Sequence, residues 1–203
     1  MTLRKKVLFF VVAVLTVLSI AGMAQAAVPA GFDDNEIRIG QWGPQTGPAA
    51  PWGSVARGSK LLFDIVNEEG GIHGRKIKYF IRDDMYNPAQ TVAVVRELVE
   101  RAGVLAFVGG VSTASGLAVK DYLAMNKVIW VGPVGAVDEY VFPAKPYLFA
   151  VNTLYADEGS ILAKHVVDKL NMKKVGILYQ NDVYGKAGLE GVKQRLAAYK
   201  MSL

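Results

Sequence analysis

Few residues in this sequence have the type and spacing for chemistry. Ser112 and Thr113 follow Gly109-Gly110-Val111, Asp83 and Asp84 stand side by side, and the two histidines are His73 and His165. Gly110-x-Ser112-x-Ala114 approximates the elbow that exposes a nucleophilic serine between a strand and a helix. A hydrolase would need a histidine after that serine, and only His165 qualifies. It stands mid-helix between Lys164 and Val166, where a surface or packing role fits better, and His73 sits in a Gly-flanked turn before Ser112. With no base and orienting group to join the serine, hydrolysis is the least favoured reading. Two isolated histidines make no metal site. Asp83 and Asp84 close a strand, where they fix the following turn rather than share a proton. There are no cysteines, so disulfides, thiolate nucleophiles, zinc–thiolate sites and a lipid-anchored cysteine are excluded. Neither a Gly-x-Gly-x-x-Gly turn nor a Walker A loop occurs, and no cofactor is expected.

The same residues suit binding. Gly109 to Thr113 leave a strand and open a helix, so free backbone N–H groups and two hydroxyls face whatever lies there. A carboxylate or a carbonyl group fits such a wall. The plain alternative is that Ser112 only caps the helix. Trp52, in a Pro/Gly-rich loop, can wall a cleft against an apolar substituent or pack on its own lobe. Trp42 ends a strand and is expected in the core.

Elements alternate along the chain. Strands are predicted at Ile37–Gly40, Lys76–Ile81, Val104–Val108, Val128–Val131, Leu148–Val151 and Lys174–Tyr179. Helices are predicted at Ser54–Glu69, from Pro88 through Val99, and over about 112–125, 157–170 and 186–199. Alternation of this kind gives βαβ units, hence an α/β fold with a parallel sheet and helices on both faces. The apolar runs at 104–108 and 128–131 fit strands buried on both sides. Ligands of such sheets sit at the carboxyl ends of the strands. After Val151 the chain offers a helix, one strand and one last helix, and a parallel strand needs a partner. Residues from about 152 therefore read as the opening of a second lobe.

Arg4, Lys5 and Lys6 precede the apolar run Val7–Ile20, and Ala24-Gln25-Ala26 follows. That order is a cleavable export signal over 1–26. The run is short for a membrane span, which takes about 20 apolar residues, so stable membrane insertion is not expected after cleavage. The chain carries 23 basic and 18 acidic residues, net +5; without the three leader cations the balance is 20 to 18, net +2. So balanced a surface gives no electrostatic case for nucleic acid. An exported chain without disulfides must hold itself together by its core, and its length suits one ordinary domain and part of a second.

The order of motifs resembles the type I periplasmic binding proteins of ATP-driven transporters, in particular the branched-chain amino acid group. The residues that carry the likeness are Gly43-Pro44, Gly47, Trp52-Gly53, Gly58, Asn67, Gly70-Gly71-Ile72, Gly74, Asp83-Asp84 with Pro88, Gly109, Ser112-Thr113, Gly132-Pro133, Asp182 and Tyr184-Gly185. The resemblance implies two α/β lobes closing on a small solute. Here these would be an N-terminal lobe over 27–151 and the incomplete start of a second over 152–203, in a truncated member whose first-lobe contacts alone bind weakly. It implies a ligand-binding set of Trp52, Ser112, Thr113, Val134, Gly135, Ala136 and Tyr184, with Tyr184 closing from the second lobe. It also implies a membrane permease of an ABC importer as partner, with a ligand-sensing receptor of the same clamp fold as the alternative. Ala136 departs from the amino acid binders, which resemble this chain here but place a hydroxyl residue at its position. An amino acid, an amide and an aromatic acid all stay open as ligands.

Overall fold

A computed structural model of the chain describes residues 31–203; the expected export signal lies outside the described residues. Five strands, β1 (Glu36–Trp42), β2 (Lys76–Arg82), β3 (Ala106–Val108), β4 (Ile129–Val131) and β5 (Leu148–Phe149), form one sheet in the order β2-β1-β3-β4-β5. Every pairing is parallel, and β1 and β2 run in register from Glu36 opposite Lys76 to Trp42 opposite Arg82. Helices α1 (Ser54–Glu68), α2 (Pro88–Glu97), α3 (Thr113–Met125) and the short α4 (Asp138–Val141) make the crossovers. The α/β class read from the alternation is the class observed. Because β2 and β3 flank β1 on opposite sides, the winding reverses between β1 and β3. Such a switch point splays the loops apart and opens a crevice at the carboxyl ends of the strands.

Local chemistry sets the helix starts. The Asn87 side chain accepts from the N–H groups of Ala89 and Gln90, and Pro88 takes the first helical position, where no N–H is required. Helix α2 then widens into a π-type turn over Leu98–Ala102 and stops at Gly103 in a left-handed conformation. The main core lies between the sheet and helices α2 and α3. Trp42, as expected, is fully buried, with its ring 5.1 Å from Phe107 and 5.0 Å from Trp130. Val95, Leu98, Val119 and Leu123 close over these rings from the helices. Aromatic pairs of this geometry are worth about 0.5–1.5 kcal/mol each beyond the area they bury. The α1 side is thinner: Phe63 packs edge-on against Tyr79, while Leu61, Leu62 and Ile65 stay exposed.

Strands β3 and β4 are shorter than the apolar runs that predicted them. The N–H of Val104 closes onto the Leu98 carbonyl and that of Val128 onto Leu123, so those residues finish the preceding helices instead of joining the ladder. The segment Lys174–Tyr179, expected as a strand, is not one: it has no ladder partner among the described residues, and Leu178 is 100% exposed. Apolar β-branched sequence favours extension, but a strand exists only in a ladder. Helices α5 (Tyr155–Asp168) and α6 (Val183–Ala198) flank this segment and bury Ala163, Val167, Val192 and Leu196 against each other. Helix α6 starts earlier than expected because the Asp182 carboxylate accepts from the Gly185 N–H at 3.0 Å.

Candidate functional site

A cavity of about 160 Å³ opens at the carboxyl ends of the strands, at the switch point. Successive turns each contribute a wall. The turn after β1 brings Trp52, the turn after β2 brings Tyr86, and the turn after β3 brings Val111, Ser112 and Thr113. Val134 follows β4, Tyr155 opens α5, and Gln180 and Tyr184 stand at the entry to α6. No formally charged side chain is among these nine residues, so polar contacts fall to hydroxyls, one amide and backbone groups.

The turn after β3 is shaped by two glycines. Gly109 and Gly110 have φ of 79° and 90°, and a Cβ on Gly110 would stand 2.5 Å from the Trp42 ring. Only glycine meets both demands. The turn is also tied to its neighbours: Gly109 N–H donates to the Val131 carbonyl at 2.9 Å, and Val134 N–H donates to that of Gly110 at 2.9 Å. Trp130 Nε1 donates to the Gly109 carbonyl at 2.6 Å. Ser112 then takes φ of 97°, rare for a residue with a side chain, and is only 4% exposed. Its Oγ accepts from the Ser115 N–H at 3.2 Å. Ser112 thus caps α3 and lines the cavity; the two readings do not compete.

Opposite this wall, the rings of Tyr155 and Tyr184 meet edge to face at 4.7 Å. Burial pushes the Tyr155 hydroxyl up to about 12, although a hydrogen bond with the Thr113 side chain works the other way. At neutral pH it is therefore an un-ionised phenol, able to donate and accept. Trp52 is 55% exposed and Tyr184 40% exposed, each presenting an aromatic face at the mouth.

Of the residues singled out in the sequence, Trp52, Ser112, Thr113, Val134 and Tyr184 come together around the cavity. Gly135 and Ala136 do not line it. Ala136 is 2% exposed, and its carbonyl accepts from the Tyr155 N–H at 2.8 Å. Gly135 lies beside the Tyr140 ring, where a Cβ would stand 3.1 Å from it. From behind the lining, Ala136 ties the start of α5 through its carbonyl, and Gly135 leaves room for the Tyr140 ring. Tyr86, Val111, Tyr155 and Gln180 line the cavity without having been singled out. Asking of every strand-to-helix turn which side chains it carries would have found Tyr86 and Tyr155, which follow β2 and β5. Asp83 fixes its turn as expected, accepting from the Met85 N–H at 3.0 Å. His73 and His165 are both exposed and line no part of the cavity.

Comparison with known proteins gives the same picture. The sequence profile of the periplasmic binding protein family matches residues 36–203. A Leu/Ile/Val-binding protein homologue of Brucella melitensis is 28% identical over 159 residues, covering 78% of this chain and 43% of that protein. A substrate-binding periplasmic protein of Ralstonia solanacearum superposes with a TM-score of 0.77 at 29% identity, over 82% of this chain and 47% of the other. The branched-chain amino acid transporter substrate-binding protein of Streptococcus pneumoniae, solved with isoleucine, gives a TM-score of 0.73 at 26% identity, over 79% and 47%. This chain therefore spans about half the length of the relatives it matches. A profile match from the first strand to Leu203, on a fold shared with solved members, shows that the chain belongs to the periplasmic binding protein family.

Proposed function

We propose that this chain captures a small organic solute in the cavity at the switch point and passes it to the membrane permease of an ABC importer, catalysing no reaction itself. The carrying observation is the lining: aromatic faces and hydroxyls from five of six successive turns, with no charged side chain among the lining residues. Such a surface binds and orients but offers no nucleophile–base pair. On this reading residues 27–151 form the first lobe and residues from 152 begin the second, so Tyr155, Gln180 and Tyr184 approach the solute from the other side. Export through the 1–26 signal places the protein in the periplasm, in keeping with its family.

The solute is a carboxylate or amide with an apolar or aromatic substituent. Ser112, Thr113 and the first N–H groups of α3 suit the polar end, and Trp52, Tyr86 and Tyr184 suit the substituent. Relatives whose names specify leucine, isoleucine and valine support an amino acid. The Ala136 methyl lies behind the lining and adds no hydrogen bond to an ammonium-bearing headgroup, which keeps aromatic acids and amides in the class.

A thermal-shift series with L-leucine, benzoate and benzamide at millimolar concentration tests the proposal. A ligand of the native state raises the midpoint by mass action, by about 2.7 kcal/mol of added stability at a hundredfold excess over Kd. A rise with leucine alone assigns an amino acid, and a rise with benzoate or benzamide moves the specificity to aromatic acids or amides. No rise with any of the three, in a chain that melts cooperatively, refutes the solute-binding reading.

A further inference from the structure

We infer that Asp83 and Asp84 are a positioning pair for the cavity, each carboxylate tying the end of β2 to a different wall. The inference rests on reading this cavity as the binding site, but its geometry does not depend on which solute is bound. Adjacent residues leaving an extended strand project to opposite sides, so two neighbouring acids can reach two separate elements.

Asp83 reaches the turn after β1. One carboxylate oxygen accepts from the Gln45 N–H at 2.8 Å, and the other accepts from the Thr46 hydroxyl. Gln45 underlies the Trp52-Gly53 turn so closely that a Cβ on Gly53 would stand 2.8 Å from its amide oxygen. Asp83 therefore fixes the platform that carries Trp52.

Asp84 reaches the other way. It is fully buried and accepts from the Thr91 hydroxyl at 2.7 Å; Thr91 in turn lies 2.8 Å from the Ser115 hydroxyl, and both of these side chains are fully buried. The Ser115 N–H donates to Ser112 Oγ. A chain of hydrogen bonds thus runs from β2 through the first turns of α2 and α3 to the residue held at φ of 97°. The other Asp84 oxygen accepts from the Tyr86 N–H at 3.0 Å, within a turn where Met85 and Tyr86 have φ of 50° and 62°. Two consecutive left-handed residues with side chains are strained, and strain of this kind persists only where the surroundings over-determine it. What it achieves here is to place the Tyr86 ring against the cavity.

A buried carboxylate is a costly way to gain stability. Burial raises the Asp84 carboxyl above its ordinary value, against the hydrogen bonds from Thr91 and Tyr86 that lower it. A group kept at such a cost fits a role in placement.

The test is hydrogen–deuterium exchange on the full chain without solute, followed by NMR titration with L-leucine and with benzoate. Asp83→Ala should speed exchange over residues 45–53 and leave 112–116 unchanged. Asp84→Ala should speed exchange at Tyr86 and over 112–116 and leave 45–53 unchanged. Ser115→Ala keeps Asp84 and Thr91 paired and cuts only the link to α3, so it decides the second arm should Asp84→Ala fail to fold. Thr91→Ser retains the hydroxyl and should exchange like the parent. For whichever probe binds the parent, both aspartate variants should lose roughly tenfold in affinity, about 1.4 kcal/mol, beyond any change in melting temperature. Exchange that rises evenly along the chain, or in neither wall, overturns the inference. Should neither probe, nor benzamide, bind the parent, the solute reading fails while the exchange pattern still decides the positioning pair.

Discussion

Replacing Gly110 with alanine tests the shape of the turn after β3 most directly. Two penalties combine. At φ of 90° the backbone lies where an L side chain is strained, and a left-handed conformation costs about 1–2 kcal/mol. The added methyl would also stand 2.5 Å and 2.6 Å from two carbons of the Trp42 ring. That ring cannot step aside, because it is fully buried between Phe107 and Trp130 at 5.1 Å and 5.0 Å. Overpacking a filled core costs about 1–3 kcal/mol, so Gly110→Ala should lose about 2–5 kcal/mol, a large part of the roughly 5–15 kcal/mol of a native domain. Gly47→Ala is the control: φ is 77°, with nothing within 4 Å of the added methyl, so only the backbone penalty applies. In urea, with a slope of about 2 kcal/mol per molar, the Gly110→Ala midpoint should fall by about 1–2.5 M and that of Gly47→Ala by under about 1 M. Equal shifts for the two variants would refute the claim that Trp42 fills the space above Gly110.

Other substitutions have equally definite outcomes. Ser112→Ala loses the cap on α3 and keeps the unfavourable φ, for a loss of about 1 kcal/mol; Ser112→Gly loses the cap but relieves the backbone, and should melt above Ser112→Ala in a calorimeter. Gly58→Ala, inside α1 with open space at its Cβ, should stabilise by about 0.5–1 kcal/mol in chemical denaturation. Proton linkage should separate the two aspartates. The burial of Asp83 raises its carboxyl, but hydrogen bonds from Thr46, Gln45 and Met85 outweigh this and hold it below the ordinary value near 3.8. Its contribution is therefore present above that value and lost as pH falls through the lower folded one. The deficit of Asp83→Asn against the parent should accordingly shrink in strong acid. Asp84 lies above its ordinary value, so the folded state holds its proton more tightly and stability falls as pH rises from about 4. Melts across pH should show the deficit of Asp84→Asn shrinking in that direction; parallel curves for the two variants would contradict both assignments.

The alternation of apolar strands with helices was enough to read the parallel sheet, because both faces of a central strand must be apolar. Its ends were not legible. Val104 and Val128 look like strand residues, and which carbonyl takes their N–H depends on how the preceding helix terminates. Lys174–Tyr179 fails for a different reason: extension is a local preference, but pairing is a contact with another segment. Ser112 and Thr113 were legible because the carboxyl ends of strands are where loops splay apart, and Trp52 because an aromatic in a Pro/Gly-rich loop can wall a cleft; Val134 and Tyr184 came from the family resemblance. Tyr86 and Tyr155 stood among the side chains that the strand-to-helix turns offer, but nothing in the residues around a tyrosine says which way its ring turns. The left-handed backbone at Met85 and Tyr86, which aims one of them, leaves no mark in composition.

The walls of the cavity differ in how they are held, and this bears on how a solute would be retained. Ser112 is tied to Asp84 by buried hydrogen bonds through Thr91 and Ser115, and Tyr86 and the Trp52 platform are tied to Asp84 and Asp83 by part-buried and exposed ones. The α5–α6 unit is joined to those turns by lighter links: Ala136 carbonyl to Tyr155 N–H, Asn152 Nδ2 to the Pro133 carbonyl at 3.0 Å, and Gln180 Nε2 to the Tyr86 hydroxyl at 3.3 Å. Trp52 and Tyr184 keep roughly half of their surface in water. Burying the rest of two such rings against a solute is worth on the order of 1 kcal/mol each, comparable with one exposed hydrogen bond. On the proposed reading, a solute seated against the rigid Ser112–Thr113 wall meets Trp52 on that same side and gains the Tyr184 contact only when α5 and α6 draw in. That differential contact is what a ligand needs to shift an equilibrium between open and closed arrangements. The rigid wall would then set which polar group is accepted, and the aromatic wall how tightly it is kept.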